Sequence, residues 1–337
     1  MTVRDVHDEI RMTKGSLRAL LEGAIDYAGM FPPASLGLHE ALAGYRALRS
    51  ESAAWLMGHF VCPAEQLREL VAAVPDDPFR VSLVVPLDAY RQNRLISSRP
   101  SEAEAGQPPS AIAAVAALEF RWQTDVVRDS VFVRPDGLLT MAGALAAAVN
   151  PEANTFFELS RVQSPAHTTA WQHRLAEILR MMATPNAKAR AQRPPRGLAG
   201  FKFRCGGATP ADVPASSELA EVIRACRDAH VFWKATAGLH HPLRHLDARL
   251  GVRVHGFINL FTAAVMADLH RLDTGKIQAI LDDEDASDFR FGDNVLTWRD
   301  RSATCEQITS VRRRGLQSFG SCSIEEPVQD LKALGWI

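Results

Sequence analysis

The stretch FKFRCGGATPADVPASSELAEVIRACRDAHVFWKATAG, residues 201–238, decides the fold. Two short apolar runs, FKFRC and HVFWKATAG, flank SELAEVIRACRDA, whose apolar residues recur at helical spacing. Strand, helix and strand in that order imply parallel pairing, because parallel neighbours need a crossover connection. Each strand run carries a lysine near its end, Lys202 and Lys234. The second run is followed at once by His240 and His241.

The same rhythm extends in both directions. GAIDYAG (23–29) precedes LHEALAGYRALRS, and AAWLMGHFV (53–61) precedes AEQLRELVAAV. RVSLVV (80–85) and AAVAALEFRW (113–122) follow. NTFFELS (154–160) precedes WQHRLAEILRMMA, and SFGSCS (318–323) precedes EEPVQDLKAL. With the two runs above, these make eight candidate strands. Eight such units in 337 residues suit an α/β fold of the (β/α)8 TIM-like barrel type, with 1–337 as a single catalytic domain. An open doubly wound sheet is the alternative. TDVVRDSVFVRPDGLLT holds a further strand-like run, and VRVHGFINL also reads as a strand before the helical TAAVMADLH. DFRFGDNVLTW reads as a small hairpin inserted before the last strand, with Gly292, Asp293 and Asn294 in its turn. Residues 97–110 and 184–197, rich in Pro with Ser and Glu or with basic residues, read as mobile loops.

Parity along the strands then selects the site. In a parallel barrel one strand face meets helices and the other fills the barrel. A charge on the helix side would be buried without water. A lone charge late in a strand is therefore expected inward, where the barrel mouth opens. In FWKAT, Lys234 shares a face with Phe232 and Thr236, and Trp233 and Ala235 lie opposite. The same alternation turns inward Lys202 and Arg204, Glu158, Glu119 and Arg121, Asp26, and His59. Strand-end loops would add His240, His241, Cys322 and Glu325. A lone Lys202–Glu158 pair would be no more than a structural salt bridge. Charges on six of eight strands, all near one end, are expensive to bury unless they pair or bind something.

A lysine, a small-residue turn, a helix and a second strand lysine before Ala237-Gly238 occur in that order across residues 200–242. This resembles the sixth and seventh units of 2-deoxyribose-5-phosphate aldolase and related class I aldolases. The resemblance implies that Lys202 is a Schiff-base nucleophile, that Lys234 depresses its pKa, and that Glu119 or Glu158 shuttles the proton. Phe203-Arg204-Cys205 stands where those aldolases have small hydroxyl residues, and Leu239-His240-His241 where they have a glycine-rich phosphate loop. The segments DYAGMFPPASL, KATAGLHHP and FGSCSIEEP also resemble those of a bacterial protein family, a likeness that brings no activity with it. Apart from any resemblance, an amine attacks a carbonyl only when neutral, and free lysine titrates near ~10.4. A neighbouring ammonium and partial burial lower that value. The resulting iminium is an electron sink for making or breaking a C–C bond.

The sequence thus points to a barrel enzyme, a lyase of aldolase type, for a small anionic carbonyl substrate. Lys202, Lys234, Glu158, Glu119 and His240 are the expected catalytic groups, with His240 as general acid or base. Asp26, His59, Arg121, Arg204, Gly206, Gly207, His241, Ser321 and Cys322 are the expected substrate-binding groups. RCGGATP and SFGSCS are small-residue turns whose backbone N–H groups suit a phosphate or carboxylate, and Arg204 suits the same anion. Cys322 between two serines reads equally as a small buried thiol. No cofactor is expected on this reading. A divalent metal held by Glu119, Glu158, His240 and His241 is one alternative, giving a metal-dependent lyase or hydrolase. A non-catalytic barrel that binds an anionic ligand or a partner protein is the other.

Bulk properties exclude little else. The net charge of −1 gives no reason to expect nucleic acid or an acidic membrane surface as partner. No stretch approaches the about 20 apolar residues of a membrane helix, and the polar MTVRDVHDEIRMTKG is no secretory signal. Five scattered cysteines without zinc-ribbon spacing fit a reduced cytoplasmic setting. A homodimer is the base-rate expectation for assembly.

Overall fold

The computed structural model describes residues 13–74, 79–85, 115–122, 150–159, 168–192 and 196–337. Among these, the strands in chain order are β1 (Ile25–Tyr27), β2 (Met57–Pro63), β3 (Val81–Val85), β4 (Val115–Trp122), β5 (Asn154–Leu159), β6 (Ala199–Arg204) and β7 (Trp233–Thr236). They continue as β8 (His245–Asp247), β9 (Val252–Val254), β10 (Phe289–Phe291), β11 (Val295–Trp298), β12 (Arg301–Thr304) and β13 (Leu316–Ser321). Eight of them close into a barrel in the order β1-β13-β7-β6-β5-β4-β3-β2, every neighbouring pair parallel. Because β1 pairs with both β13 and β2, the sheet has no edge, and the open doubly wound alternative is ruled out. All eight candidate runs contribute a barrel strand.

Period-two alternation sorts the side chains into two layers. Ile25, Tyr27, Phe60, Leu118, Phe157, Phe201, Phe203, Trp233 and Phe319 join the large core beneath the helices. Ala117, Phe156 and Phe232 form a separate small cluster. By parity these three fill the barrel interior, and the two rings meet edge to face at 5.3 Å. They make an apolar floor under the charged residues one rung further along each strand.

The helices follow from the pattern already read. In Ser216–Asp228, Leu219, Ala220, Val222, Ile223 and Cys226 are buried, and the Glu218 carboxylate accepts the Ala215 N–H at 2.8 Å to open the helix. Several boundaries differ from expectation. Ser52–Leu56 is a 3-10 turn rather than the start of β2, and the Trp55 carbonyl accepts from the Gly23 N–H at 2.8 Å. FINL lies in the helix Phe257–Leu269, and only Val252–Val254 pairs as a strand, antiparallel to β8. Every residue from Phe257 to Ala267 is buried, since an all-apolar helix needs cover on every side. The expected hairpin is the first half of a three-stranded antiparallel sheet, β10-β11-β12.

The expected loop at 184–197 is a correction. The helix Thr168–Arg190 runs through Pro185 to residue 190. Its end is held by Asn186, which is buried and donates to the Ala199 carbonyl at 2.7 Å while accepting the Ala199 N–H at 2.8 Å. That pair of hydrogen bonds to the first residue of β6 offsets the one that proline forfeits. Residues 193–195, the 97–110 stretch and TDVVRDSVFVRPDGLLT lie outside the described residues.

Candidate active site

Strand register assembles the site. Glu158, Lys202 and Lys234 occupy one rung across β5, β6 and β7, and Arg204 sits beside Thr236 one inward position higher. Residues in register on parallel strands point to the same face, so three charges converge with no loop involved. Lys202 Nζ lies 2.8 Å from Glu119 and 3.0 Å from Glu158. Lys234 Nζ lies 2.5 Å from both Asp26 and Glu119, and 5.2 Å from the Phe156 ring centroid of the floor. Arg204 Nε donates to Glu158 at 2.9 Å. Glu119 thus bridges the two lysines, and among the described residues three carboxylates face three cations.

Two serines that carry no charge, and so escape a reading by charge, complete the cluster. Ser82 Oγ donates to Glu119 at 2.6 Å, and Ser318 Oγ donates to Asp26 at 2.8 Å. The signal is there in the sequence, since alternation about Leu83 and about Phe319 turns both inward. Asp26 also takes the His59 backbone N–H and the His59 ring Nδ1, each at 2.8 Å. The cluster grades from interior to mouth: side-chain exposure is 0 % for Asp26, 2 % for Lys234, 9 % for Lys202, 17 % for His59 and 35 % for Arg204.

The electrostatics reverse one expectation. Burial pushes the Lys202 amine down, but Glu119 and Glu158 outweigh both burial and the repulsion of Lys234, so the amine is held above its ordinary value. Burial likewise opposes the charge on Lys234, and Asp26 and Glu119 raise it well above the ordinary range. Burial pushes Glu119 up, yet the two ammonium groups bring its carboxyl down to about 2. Asp26 is held far below the usual carboxylate range, with Lys234 and His59 overcoming its burial. Lys234 therefore does not leave Lys202 neutral in the unliganded site. Each ammonium touches two carboxylates at hydrogen-bond distance, and these closer, opposite charges dominate.

The remaining predicted residues fall elsewhere. His240 Nδ1 lies 3.0 Å from Glu326, and His241 Nδ1 lies 2.5 Å from Asp330, both on the last helix, Glu325–Ala333. Among the described contacts, these imidazoles tie a loop to that helix rather than join the lysine–carboxylate cluster. The four-residue set of the metal alternative is thus not brought together, and among the described residues no group of three His, Cys, Asp or Glu side chains is placed to hold a metal ion. Ser321 Oγ donates to the Ser323 carbonyl at 2.6 Å, and burial pushes the Cys322 thiol up, away from a reactive thiolate. A Cβ on Gly206 would stand 2.7 Å from the Gly238 Cα, so these glycines let the β6 and β7 loops touch backbone to backbone. Gly207 packs against the Asp212 side chain. Arg121 is in register with Glu158, and its side chain lies outside the described residues.

No protein-family model matches the chain, and no curated protein matches it. Among solved structures, the chain is similar to a deoxyribose phosphate aldolase from Aeropyrum pernix, described as having a unique tetrameric structure. The alignment covers 99 % of this chain and 100 % of that one, at 11 % identity and a TM-score of 0.43. At that distance the likeness does not extend to chemistry, which has to come from the site's own side chains.

Proposed function

We propose that the barrel is a lyase of the class I aldolase type that holds a small anionic carbonyl compound on Lys202 as a Schiff base. The observation that carries this reading is the position of Lys202 Nζ, at the wetter end of a buried cluster and between two carboxylates at 2.8 and 3.0 Å. Lys234 is the poorer nucleophile, being deeper and clamped by Asp26 and Glu119. Arg204 meets the anion: its terminal nitrogens have no hydrogen-bond partner among the described residues, and a guanidinium fork suits a carboxylate or phosphate.

Substrate binding prepares the amine. An anion that engages Arg204 competes with Glu158 for it, and a weaker hold of Arg204 on Glu158 makes that carboxylate a better acceptor for a proton from the Lys202 ammonium. Glu119, with its carboxyl at about 2, is a poor store for that proton. The neutral amine attacks the carbonyl carbon, and the proton that the attacking nitrogen sheds passes to the carbonyl oxygen to give the carbinolamine, leaving Glu158 protonated. Protonation of that hydroxyl by Glu158 expels water and leaves the iminium. The iminium carries the same charge at the same place as the ammonium it replaces, so the net charge of the cluster does not change.

Borohydride reduction with pyruvate, glyoxylate or dihydroxyacetone phosphate tests the reading. The expected result is a stable mass adduct that peptide mapping places on Lys202 and that Lys202→Ala removes. Absence of any adduct, or an adduct unaffected by Lys202→Ala and Lys234→Ala, ends it. In the latter case the lysines are structural, and a non-catalytic anion-binding barrel becomes the better account.

A further inference from the structure

Schiff-base chemistry on Lys202 leaves the His59–Asp26 pair without a task, although it is the most constrained feature of the cluster. Asp26 is fully buried and takes four donors: the His59 N–H and ring Nδ1 on Oδ1, and Lys234 and Ser318 on Oδ2. A carboxylate so surrounded has no proton to give. The His59 Nδ1 must therefore be the donor, and in the neutral ring the lone pair is on Nε2. Nε2 has no partner among the described residues. The ring is 17 % exposed where its aspartate is 0 %, so it meets the mouth while Asp26 does not.

Local backbone is shaped to hold this pair. The β1–β2 register shifts between Ile25 and Tyr27, which frees the His59 N–H for Asp26. Gly58 makes the shift feasible, because a Cβ there would stand 2.5 Å from Asp26 Oδ1. In the barrel order β1-β13-β7-β6-β5-β4-β3-β2, strands β2 and β6 are four places apart. His59 and Lys202 therefore stand on opposite walls, joined underneath by Asp26, Lys234 and Glu119.

We infer that His59, oriented by Asp26, is the base that moves the α-proton of a carbonyl substrate carried on Lys202. The inference rests on the Schiff-base reading and adds the second catalytic group to it. Nε2 takes the proton from the carbon next to the iminium. The C–H electron pair becomes the C=C bond of an enamine, and the C=N π pair moves to nitrogen, which ends neutral. His59 ends as imidazolium, its Nδ1–H still on Asp26, and returns the proton to carbon in the reverse step. The acid–base histidine is thus placed on β2, not in the His240-His241 loop.

The test uses pyruvate in deuterated water with the full chain. The expected result is exchange of the pyruvate methyl protons that slows ~100-fold or more in His59→Gln, while borohydride trapping of pyruvate on Lys202 is unchanged within about two-fold, the variant keeping the lysine chemistry. Nitrogen-15 shifts of the His59 ring should show a proton on Nδ1 and a bare Nε2. Undiminished exchange in a variant that still traps pyruvate overturns the role of His59 alone, as does a ring with its proton on Nε2. Loss of trapping in His59→Gln also overturns it, making the residue a support for the lysine. If only dihydroxyacetone phosphate is trapped, the exchange is followed on it instead, and no adduct of the unmodified protein with pyruvate, glyoxylate or dihydroxyacetone phosphate overturns the Schiff-base reading and the α-proton role together.

Discussion

Lys234 and Lys202 look alike in sequence, yet their surroundings give them different consequences. Removing Lys202 leaves each of its carboxylates a cation, because Glu158 keeps Arg204 and Glu119 keeps Lys234. Removing Lys234 leaves the fully buried Asp26, among the described residues, with His59 and Ser318. Breaking a buried pair from one side costs ~3–5 kcal/mol, most of it the stranded charge. Lys234→Met is expected to lose that much in urea unfolding, and Lys202→Met clearly less. Equal losses would mean that the two lysines share one environment.

The elements position these residues through close approaches that only glycine permits. Gly238 has φ +70° and its Cα faces Gly206, whereas Gly251 has φ +68° and open space within 4 Å of where a Cβ would stand. The left-handed backbone alone costs ~1–2 kcal/mol for an alanine. Gly251→Ala should show about that loss in urea unfolding. Gly238→Ala should lose more, and it should also weaken trapping at Lys202, because the β6 and β7 loops must separate. A Gly238→Ala protein as stable as Gly251→Ala would remove the steric argument.

Across the whole molecule the cluster joins strands far apart in the chain, so its charge state bears on global stability. Glu119 is held at about 2 against an ordinary 4.5, so its contribution is present above pH 4.5 and is lost as pH falls toward 2. Lys202 and Lys234 are raised above an ordinary 10.5, so theirs is present below pH 10.5 and is lost as pH rises through the higher folded values. Urea midpoints should therefore form a plateau between about pH 5 and 10 with a fall on each side. The acid-side fall, on the order of a few kcal/mol, should become shallower in Glu119→Gln and keep the part that Asp26 contributes as pH falls below its ordinary 3.8. An acid limb of the same slope in that variant would mean that other carboxylates carry the linkage.

The sequence by itself determined a parallel sheet and which side chains share a face of each strand, while closure into a barrel rather than an open doubly wound sheet came from the pairing of β1 with both β13 and β2. Strand–helix alternation permits only parallel neighbours, and period two sends every second residue inward, so Lys202, Lys234, Glu158, Glu119, Asp26 and His59 are legible as one inward set. The same rule reaches Ser82 and Ser318, which a reading by charge alone leaves out. Tertiary structure decided what parity cannot reach. It set the height of each strand against its neighbours, and hence that Glu119 bridges both lysines while Asp26 holds His59. It sent His240 and His241 to the last helix, since loop residues obey no period. It also kept both lysines charged, because a pKa depends on distances between strands that are remote in sequence and share only a rung of the barrel.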